Sequence, residues 1–146
     1  MTFSTRTGPL RTVARVALGA FLLVAGTAHL TVAREAFAAQ VPSWLPLDTD
    51  AVVVVSGVVE LLLGAALIAL RRYRVPIGWV VAGFFVAVLP GNIAQYVEGV
   101  SAFGLDSDGA RLSRLFFQPV LVVWALWSTG AWRDRDSLRT RGRARN

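Results

Sequence analysis

A run of twenty residues, Ala51 to Leu70, contains a single charged side chain, Glu60. As an α-helix, such a run is long enough to cross the hydrocarbon core of a bilayer, which takes about 20 residues at roughly 1.5 Å each. A carboxylate near the middle of a span costs at least about 2.5 kcal/mol on insertion scales. We therefore expect an integral membrane protein in which Glu60 has a polar partner or a function.

Apolar runs of this kind occur four times along the chain. They cover about residues 16–32, 51–70, 75–97 and 115–132. Because the connections between them are short, neighbouring helices are expected to run antiparallel. The sequence thus predicts an all-α fold, an integral membrane antiparallel four-helix bundle. Residues 1–132 would form a single transmembrane domain, and residues 133–146 a basic cytoplasmic tail that we expect to be disordered.

The arginines predict how the bundle is oriented. All fifteen basic residues are arginines, and only Arg34, Arg111 and Arg114 lie on the side opposite the termini. Since arginine-rich segments stay in the cytoplasm, both termini are predicted to be cytoplasmic.

The absence of lysine, with many Ala, Val and Gly residues, is typical of a GC-rich bacterial genome, so we expect a multi-pass protein of a bacterial inner (cytoplasmic) membrane. The arginines flank apolar runs, which favours membrane topology over nucleic-acid binding.

Residues 1–38 have a second interpretation, a secretory signal peptide with a cleavage site at Ala36, Phe37 and Ala38. The apolar run at residues 16–32 is long for a signal peptide, and the basic segment before it is unusually extended. Cleavage would leave three spans, with the termini on opposite sides. We therefore favour a first membrane span.

Polar side chains from all four spans fall in the outer half of the predicted bundle. The candidate ligand-binding residues are His29, Glu60, Asn92, Gln95, Arg114 and Gln118. At 1.5 Å per residue, Glu60 lies about 14 Å from the outer boundary and the other five within about 8 Å. In the third span, Pro90 and Gly91 interrupt the helix just before Asn92. The inner half has almost no polar residues, which predicts a cavity open toward the outer face or the outer leaflet.

These polar residues also have structural interpretations. Glu60 could pair with Arg114 or accept a hydrogen bond from Gln118, and so lock the helices together. Alternatively, burial would favour the protonated carboxylic acid, which could relay protons or hold a carbonyl or hydroxyl group of a ligand. No residue is assigned a catalytic role. With no cysteine and a single histidine, a metal site is not expected, nor is catalysis by this chain alone.

The chain resembles the DoxX-like family of small four-span bacterial membrane proteins, over about Gly26 to Trp127. The resemblance is carried, in order, by Gly26 and His29, Phe37, the run VPSWLP at 41–46, Ser56-Gly57 before Glu60 and Gly64, the run VLPGNI at 88–93, Arg114-Leu115, Gln118 and Trp124. Leu30, Gly91 and Phe116 depart from the family pattern, and the last of these puts the position of Arg114 in doubt.

The resemblance implies a link to membrane redox systems, because relatives include small subunits of thiosulfate:quinone oxidoreductase and assemblies that tether soluble oxidative-stress enzymes. We expect first an accessory or adaptor subunit of such a system, with soluble oxidoreductases as partners. The alternatives are binding of a quinone or another lipophilic molecule in the polar cavity, and transport of a small solute or of protons. No intrinsic cofactor is expected, since the chain lacks cysteines and a histidine pair for haem. Membrane lipid is an expected partner, nucleic acid is not, and glycine-rich faces would permit homo-oligomers.

Overall fold

The computed structural model describes residues 7–136, and all regular secondary structure among them is helical. The elements are α1 (Pro9–Leu30), α2 (Arg34–Ala38), α3 (Thr49–Ala69), a 3-10 turn (Arg71–Tyr73), α4 (Arg74–Ala87), α5 (Leu89–Val97) and α6 (Asp108–Thr129). The predicted all-α class is confirmed for these residues. The predictions made for residues 1–6 and 137–146, including most of the tail, lie outside the described residues.

Three helical segments are long and apolar enough to cross a membrane, as expected for a membrane protein. They are Pro9–Leu30, Thr49–Ala69 and the stretch Arg71–Val97, and they correspond to the first three predicted spans. Helix α6 contains the fourth predicted span and is as long as α1, at 22 residues each. It is not among the three segments, because Arg114 and Gln118 lower the hydropathy of its first half.

Four glycines hold α1 and α3 in close antiparallel contact. A Cβ added at Gly64 would lie 2.7 Å from the carbonyl oxygen of Gly19, and one added at Gly26 would lie 2.7 Å from the carbonyl oxygen of Gly57. Residue numbers rise along α1 as they fall along α3, so the two helices run in opposite directions. Such backbone contact is possible only where neither helix carries a side chain. We call this contact the glycine seam.

The starts of α1 and α4 meet the ends of α3 and α6 at one end of the molecule. The Arg74 guanidinium donates a hydrogen bond to the Thr129 carbonyl at 2.8 Å, and the Trp124 indole N–H donates to the Ala14 carbonyl at 2.9 Å. Most of the arginines in the described residues lie here. They are Arg11, Arg15, Arg71, Arg72, Arg74, Arg133 and Arg135. We call this the arginine end and the opposite end the cavity end.

The apolar core separates the two ends. Its side chains come from all the long helices, and those without measurable exposure are Leu18, Leu22, Leu67, Val81 and Ala125. Each is aliphatic and lies where two or more helices meet. These aliphatic side chains therefore form the centre of the bundle between the two ends.

The third span is interrupted, as the sequence predicts. Helix α4 ends at Ala87 and α5 begins at Leu89, with Pro90 in its first turn. Proline has no N–H to donate and its ring obstructs the preceding turn, so the helix cannot continue straight through this position. Gly91 then gives room to another segment, since a Cβ there would lie 3.0 Å from the Gln40 carbonyl oxygen.

Candidate functional site

A cavity of about 510 Å³ occupies the cavity end of the bundle. It lies between the second half of α1, the first halves of α3 and α6, and the break between α4 and α5. Five of the six predicted residues line it, namely His29, Glu60, Asn92, Arg114 and Gln118. Its size is in the range of small-molecule pockets, about 300–1,000 Å³.

Gln95, the sixth predicted residue, does not line the cavity. It lies behind the wall, where its Oε1 accepts a hydrogen bond from Gln40 Nε2 at 3.2 Å and its Nε2 donates to the Val100 carbonyl at 3.3 Å. Both of its polar ends are therefore used by the protein. Gln95 acts on the cavity only through Gln40, which does line it.

The glycine seam brings His29 and Glu60 together. His29 lies against Gly57, where an added Cβ would be 2.8 Å from the His29 Cβ, and Glu60 lies about one turn further along α3. Helical side chains tilt toward the N-terminus of their own helix, which on antiparallel helices turns these two toward each other. His29 Nδ1 and Glu60 Oε2 are 2.8 Å apart as a result.

The two atoms lie within ion-pair distance but lack the geometry of a hydrogen bond. His29 Nδ1 also lies 2.9 Å from the Ala25 carbonyl oxygen, which competes for the same ring nitrogen. Glu60 Oε2 is consequently enclosed by protein with no hydrogen-bond partner among residues 7–136, in a residue that is only 8% exposed.

Asn92 and Gln118 form a second polar group on the cavity wall. Asn92 Nδ2 donates to Gln118 Oε1 at 2.9 Å, and Gln118 Nε2 donates to the Phe85 carbonyl at 2.6 Å. Gln118 therefore donates to the main chain of α4 rather than to Glu60. The pair joins α5 and α6 across the helix break and fixes the orientation of both amides.

Arg114 forms the third polar group. Its Nη2 donates to Gln40 Oε1 at 3.0 Å, and its guanidinium carbon lies 5.1 Å from the centroid of the Phe103 ring. No carboxylate of residues 7–136 lies within ion-pair distance of it. The pairing of Glu60 with Arg114, one of the structural alternatives from the sequence, is thus not found in the described residues, since Glu60 lies against His29 of α1 and Arg114 donates to Gln40 in the loop after α2.

Several lining residues were not predicted, and most come from the loops. Phe37 stacks on the His29 ring with centroids 3.3 Å apart and meets Phe103 edge-on at 4.6 Å. Gln40 is the polar link between Arg114 and Gln95. The segment 41–46 contributes four lining residues, namely Val41, Pro42, Trp44 and Leu45.

The loop that carries Phe103 is held by Arg111. The Arg111 guanidinium donates to the Val100 carbonyl at 3.2 Å, to Ser101 Oγ at 3.3 Å and to Asp108 Oδ1 at 2.7 Å. Phe103 itself has a φ of 56°, in the left-handed region that non-glycine residues rarely adopt. The loop therefore places an aromatic ring against the cavity at some cost in backbone energy.

An exposed ion pair ties α2 to the start of α3. Arg34 Nε donates to Asp50 Oδ1 at 2.6 Å, and this carboxylate raises the pKa of Arg34 above its usual value. Exposed pairs of this kind contribute little to stability. Its geometric role is to fix the helix that carries Phe37.

No group of three or more His, Cys, Asp or Glu side chains that could hold a metal occurs in residues 7–136.

Comparison with known proteins gives one match. A family described as Domain of unknown function (DUF8561) matches residues 18–129. This segment contains every residue that lines the cavity. No curated protein and no solved structure matches the chain.

Proposed function

We propose that this chain, which belongs to the family described as Domain of unknown function (DUF8561), binds a lipophilic small molecule with a polar head group in the cavity. The observation that carries the proposal is the enclosed Glu60 Oε2, which has no hydrogen-bond partner among the described residues. An unpaired buried acceptor costs about 1–3 kcal/mol, and more when it is charged. A hydroxyl group of a ligand in the cavity would supply the missing donor.

Arg114 adds the opposite requirement. A guanidinium has five N–H donors, and one hydrogen bond, to Gln40, is found among residues 7–136. A carbonyl, carboxylate or phosphate oxygen of a ligand would accept from the remaining donors. The polar groups of the cavity therefore favour a head group that combines hydroxyl-type donors with carbonyl-type acceptors.

A quinone and its quinol meet both requirements in one molecule, and we propose this ligand class. A quinone carbonyl would accept from Arg114, a quinol hydroxyl would donate to Glu60, and the ring would lie against Phe37 and Phe103. Glu60 and His29 would exchange the protons. Electrons would have to come from a partner protein, because the chain has no cysteine and one histidine.

The membrane arrangement is part of the proposal. We place α6 across the membrane as a fourth span, with the arginine end and both termini in the cytoplasm, because arginine-rich ends stay on that side. The cavity then lies in the outer half of a bacterial inner membrane. This topology and the quinone ligand both agree with what the resemblance to the DoxX-like family implies.

Ligand binding now has more support than the adaptor function that we expected first. The adaptor hypothesis depends on the basic tail, most of which lies outside the described residues. Transport would need a polar passage through the layer of Leu18, Leu67 and Val81, which is fully buried and aliphatic. An accessory role in a redox system stays compatible with the cavity, as the place where a quinone is held for a partner enzyme.

Quenching of tryptophan fluorescence tests the proposal, since Trp44 lines the cavity. The purified protein in neutral detergent would be titrated with a short-chain ubiquinone. We expect saturable quenching in the wild type, and an affinity about five- to tenfold weaker in Glu60→Gln, because a carboxylate accepts a stronger hydrogen bond than an amide.

Glu35→Gln is the matched control. It makes the same chemical change at an exposed glutamate of α2 that does not line the cavity, and it should bind like the wild type. Absence of saturable quenching in the wild type, or wild-type affinity in a folded Glu60→Gln protein, would count against a quinone site at Glu60.

A further inference from the structure

Arg15 is the most deeply buried charged residue of the described chain. It lies in the second turn of α1, is 2% exposed, and donates from Nη1 to the Leu67 carbonyl in the last turn of α3. The last carbonyls of a helix lack intrahelical partners, so an arginine there is favourable in part. The helix end offers only about half a negative charge, however.

Arg15 has no carboxylate counter-ion among the described residues. Among residues 7–136 no carboxylate lies within ion-pair distance of it, and residues 1–6 and 137–146 contain no aspartate or glutamate. The two charges that act on it most, those of Arg71 and Arg74, are positive. A cation buried beside like charges is strongly unfavourable unless an anion is present.

The unused donors of Arg15 are not completely enclosed. Glu60 Oε2 is the one side-chain nitrogen or oxygen of the described residues that is both fully enclosed and unpartnered. The nitrogens of Arg15 that do not bond to Leu67 therefore keep a small accessible area at the edge of the protein, although the residue as a whole is 2% exposed. Arg71, whose charge acts on Arg15, is exposed.

We propose that Arg15, with Arg71, binds the phosphate group of an anionic membrane phospholipid. The phosphate would accept from the free donors of Arg15 and supply the missing negative charge. Basic pockets between membrane helices bind anionic head groups in this manner. The site is independent of the cavity, which lies on the other side of the aliphatic core.

A lipid fits this position better than phosphate from solution. Leu10 and Val13 on α1 and Leu70 at the end of α3 are exposed apolar side chains beside the arginines, and acyl chains would cover them. Tyr73 and Trp132 are also exposed at this end, as is typical of residues at the membrane interface. A lipid without its own cation, such as phosphatidylglycerol, suits the cluster better than phosphatidylcholine.

Thermal unfolding of the full chain in neutral detergent tests the site. Phosphatidylglycerol, phosphatidylcholine or inorganic phosphate would be added at equal phosphate concentration. We expect only phosphatidylglycerol to raise the melting temperature of the wild type. Native mass spectrometry would measure the lipid that each variant retains after purification. The retained lipid should fall about tenfold or more in Arg15→Gln and in Arg71→Gln.

Arg72→Gln is the matched control, since it removes the same charge from the same turn but is not among the arginines that act on Arg15. It should respond to phosphatidylglycerol like the wild type. If Arg15→Gln does not fold, the lipid retained by Arg71→Gln tests the site on its own. If inorganic phosphate raises the melting temperature as much as phosphatidylglycerol does, the ligand is not a lipid. If Arg71→Gln and Arg72→Gln lose equal amounts of retained lipid, or if phosphatidylglycerol leaves the melting temperature of the wild type unchanged, the proposed site is wrong.

Discussion

The two ends of the bundle use the same helices for opposite purposes. At the arginine end, Arg74 bonds to both Thr129 and Asp134, and Gly78 packs directly against Thr129. At the cavity end the third span breaks, two loops close over a space of about 510 Å³, and Glu60 keeps an unpartnered oxygen. Where the helices join, the polar groups bond to one another, whereas at the cavity end Glu60 keeps an unused acceptor and Arg114 keeps unused donors. Arg15 is the exception at the arginine end, which is why we assign it an external partner.

The glycine seam supports both ends, and lengthening its side chains should have the largest effect. A Cβ at Gly57 would lie 2.8 Å from the Cβ of His29, and one at Gly64 would lie 2.7 Å from the Gly19 carbonyl oxygen. Overpacking of this kind costs about 1–3 kcal/mol, occasionally more. We expect Gly57→Val and Gly64→Val each to lower the unfolding free energy by about 3 kcal/mol, measured by chemical denaturation in detergent.

The two variants should differ in ligand binding. Gly57→Val displaces His29 and should abolish quinone quenching in the folded fraction, whereas Gly64→Val, seven residues nearer the arginine end, should retain it. Gly83→Val is the control for the substitution itself, since a Cβ at Gly83 would meet nothing within 4 Å. Equal loss of binding in Gly57→Val and Gly64→Val would mean that the two ends are not separable.

The sequence predicts the parts of this comparison that depend on position along a helix. Glu60 and Gln118 are identifiable because they interrupt apolar runs, and their depth follows from counting residues at a constant rise. The break near Pro90 follows from proline chemistry. Five of the predicted residues share one cavity for this reason.

The sequence does not predict the contacts that depend on which helix faces meet. The contact of Glu60 with His29 rather than Arg114 follows from the side-chain tilt across the glycine seam, which requires knowing that α1 and α3 are in contact. Gln40 and Phe103 lie in loops, where no periodicity indicates direction. Arg15 was counted as one of many arginines flanking a span, and only its burial distinguishes it.

Removal of a carboxylate should have opposite effects at the two ends. Glu60→Met removes an enclosed oxygen without a hydrogen-bond partner and fills the space with an apolar chain, so the unfolding free energy of the ligand-free protein should rise by about 1 kcal/mol. Asp134→Asn takes the counter-ion from Arg74, which it contacts at 2.9 Å. It should lower the unfolding free energy by about 1–3 kcal/mol.

Thermal and chemical unfolding of both variants, without ligand, would show whether each substitution raises or lowers the unfolding free energy. Asp50→Asn is the control for loss of an exposed ion pair, and no measurable change is expected there. If Glu60→Met is destabilised as much as Asp134→Asn, Glu60 is a structural lock and the contrast between the ends disappears.

The smallest expected effect isolates the backbone strain at Phe103. Both Phe103→Ala and Phe103→Gly remove the ring that faces the cavity, so both should weaken quinone binding to the same extent. They differ at the backbone, because glycine adopts the observed φ of 56° freely whereas alanine does not. The left-handed conformation costs a residue with a Cβ about 1–2 kcal/mol, and the greater freedom of unfolded glycine offsets about 0.4–1 kcal/mol of that. Phe103→Gly should therefore be the more stable of the two by about 0.5 kcal/mol, measured as a difference in unfolding free energy.

Equal stability would indicate that the loop relaxes when the ring is removed, in which case the ring and its contacts with Phe37 and Arg114 hold the strained conformation.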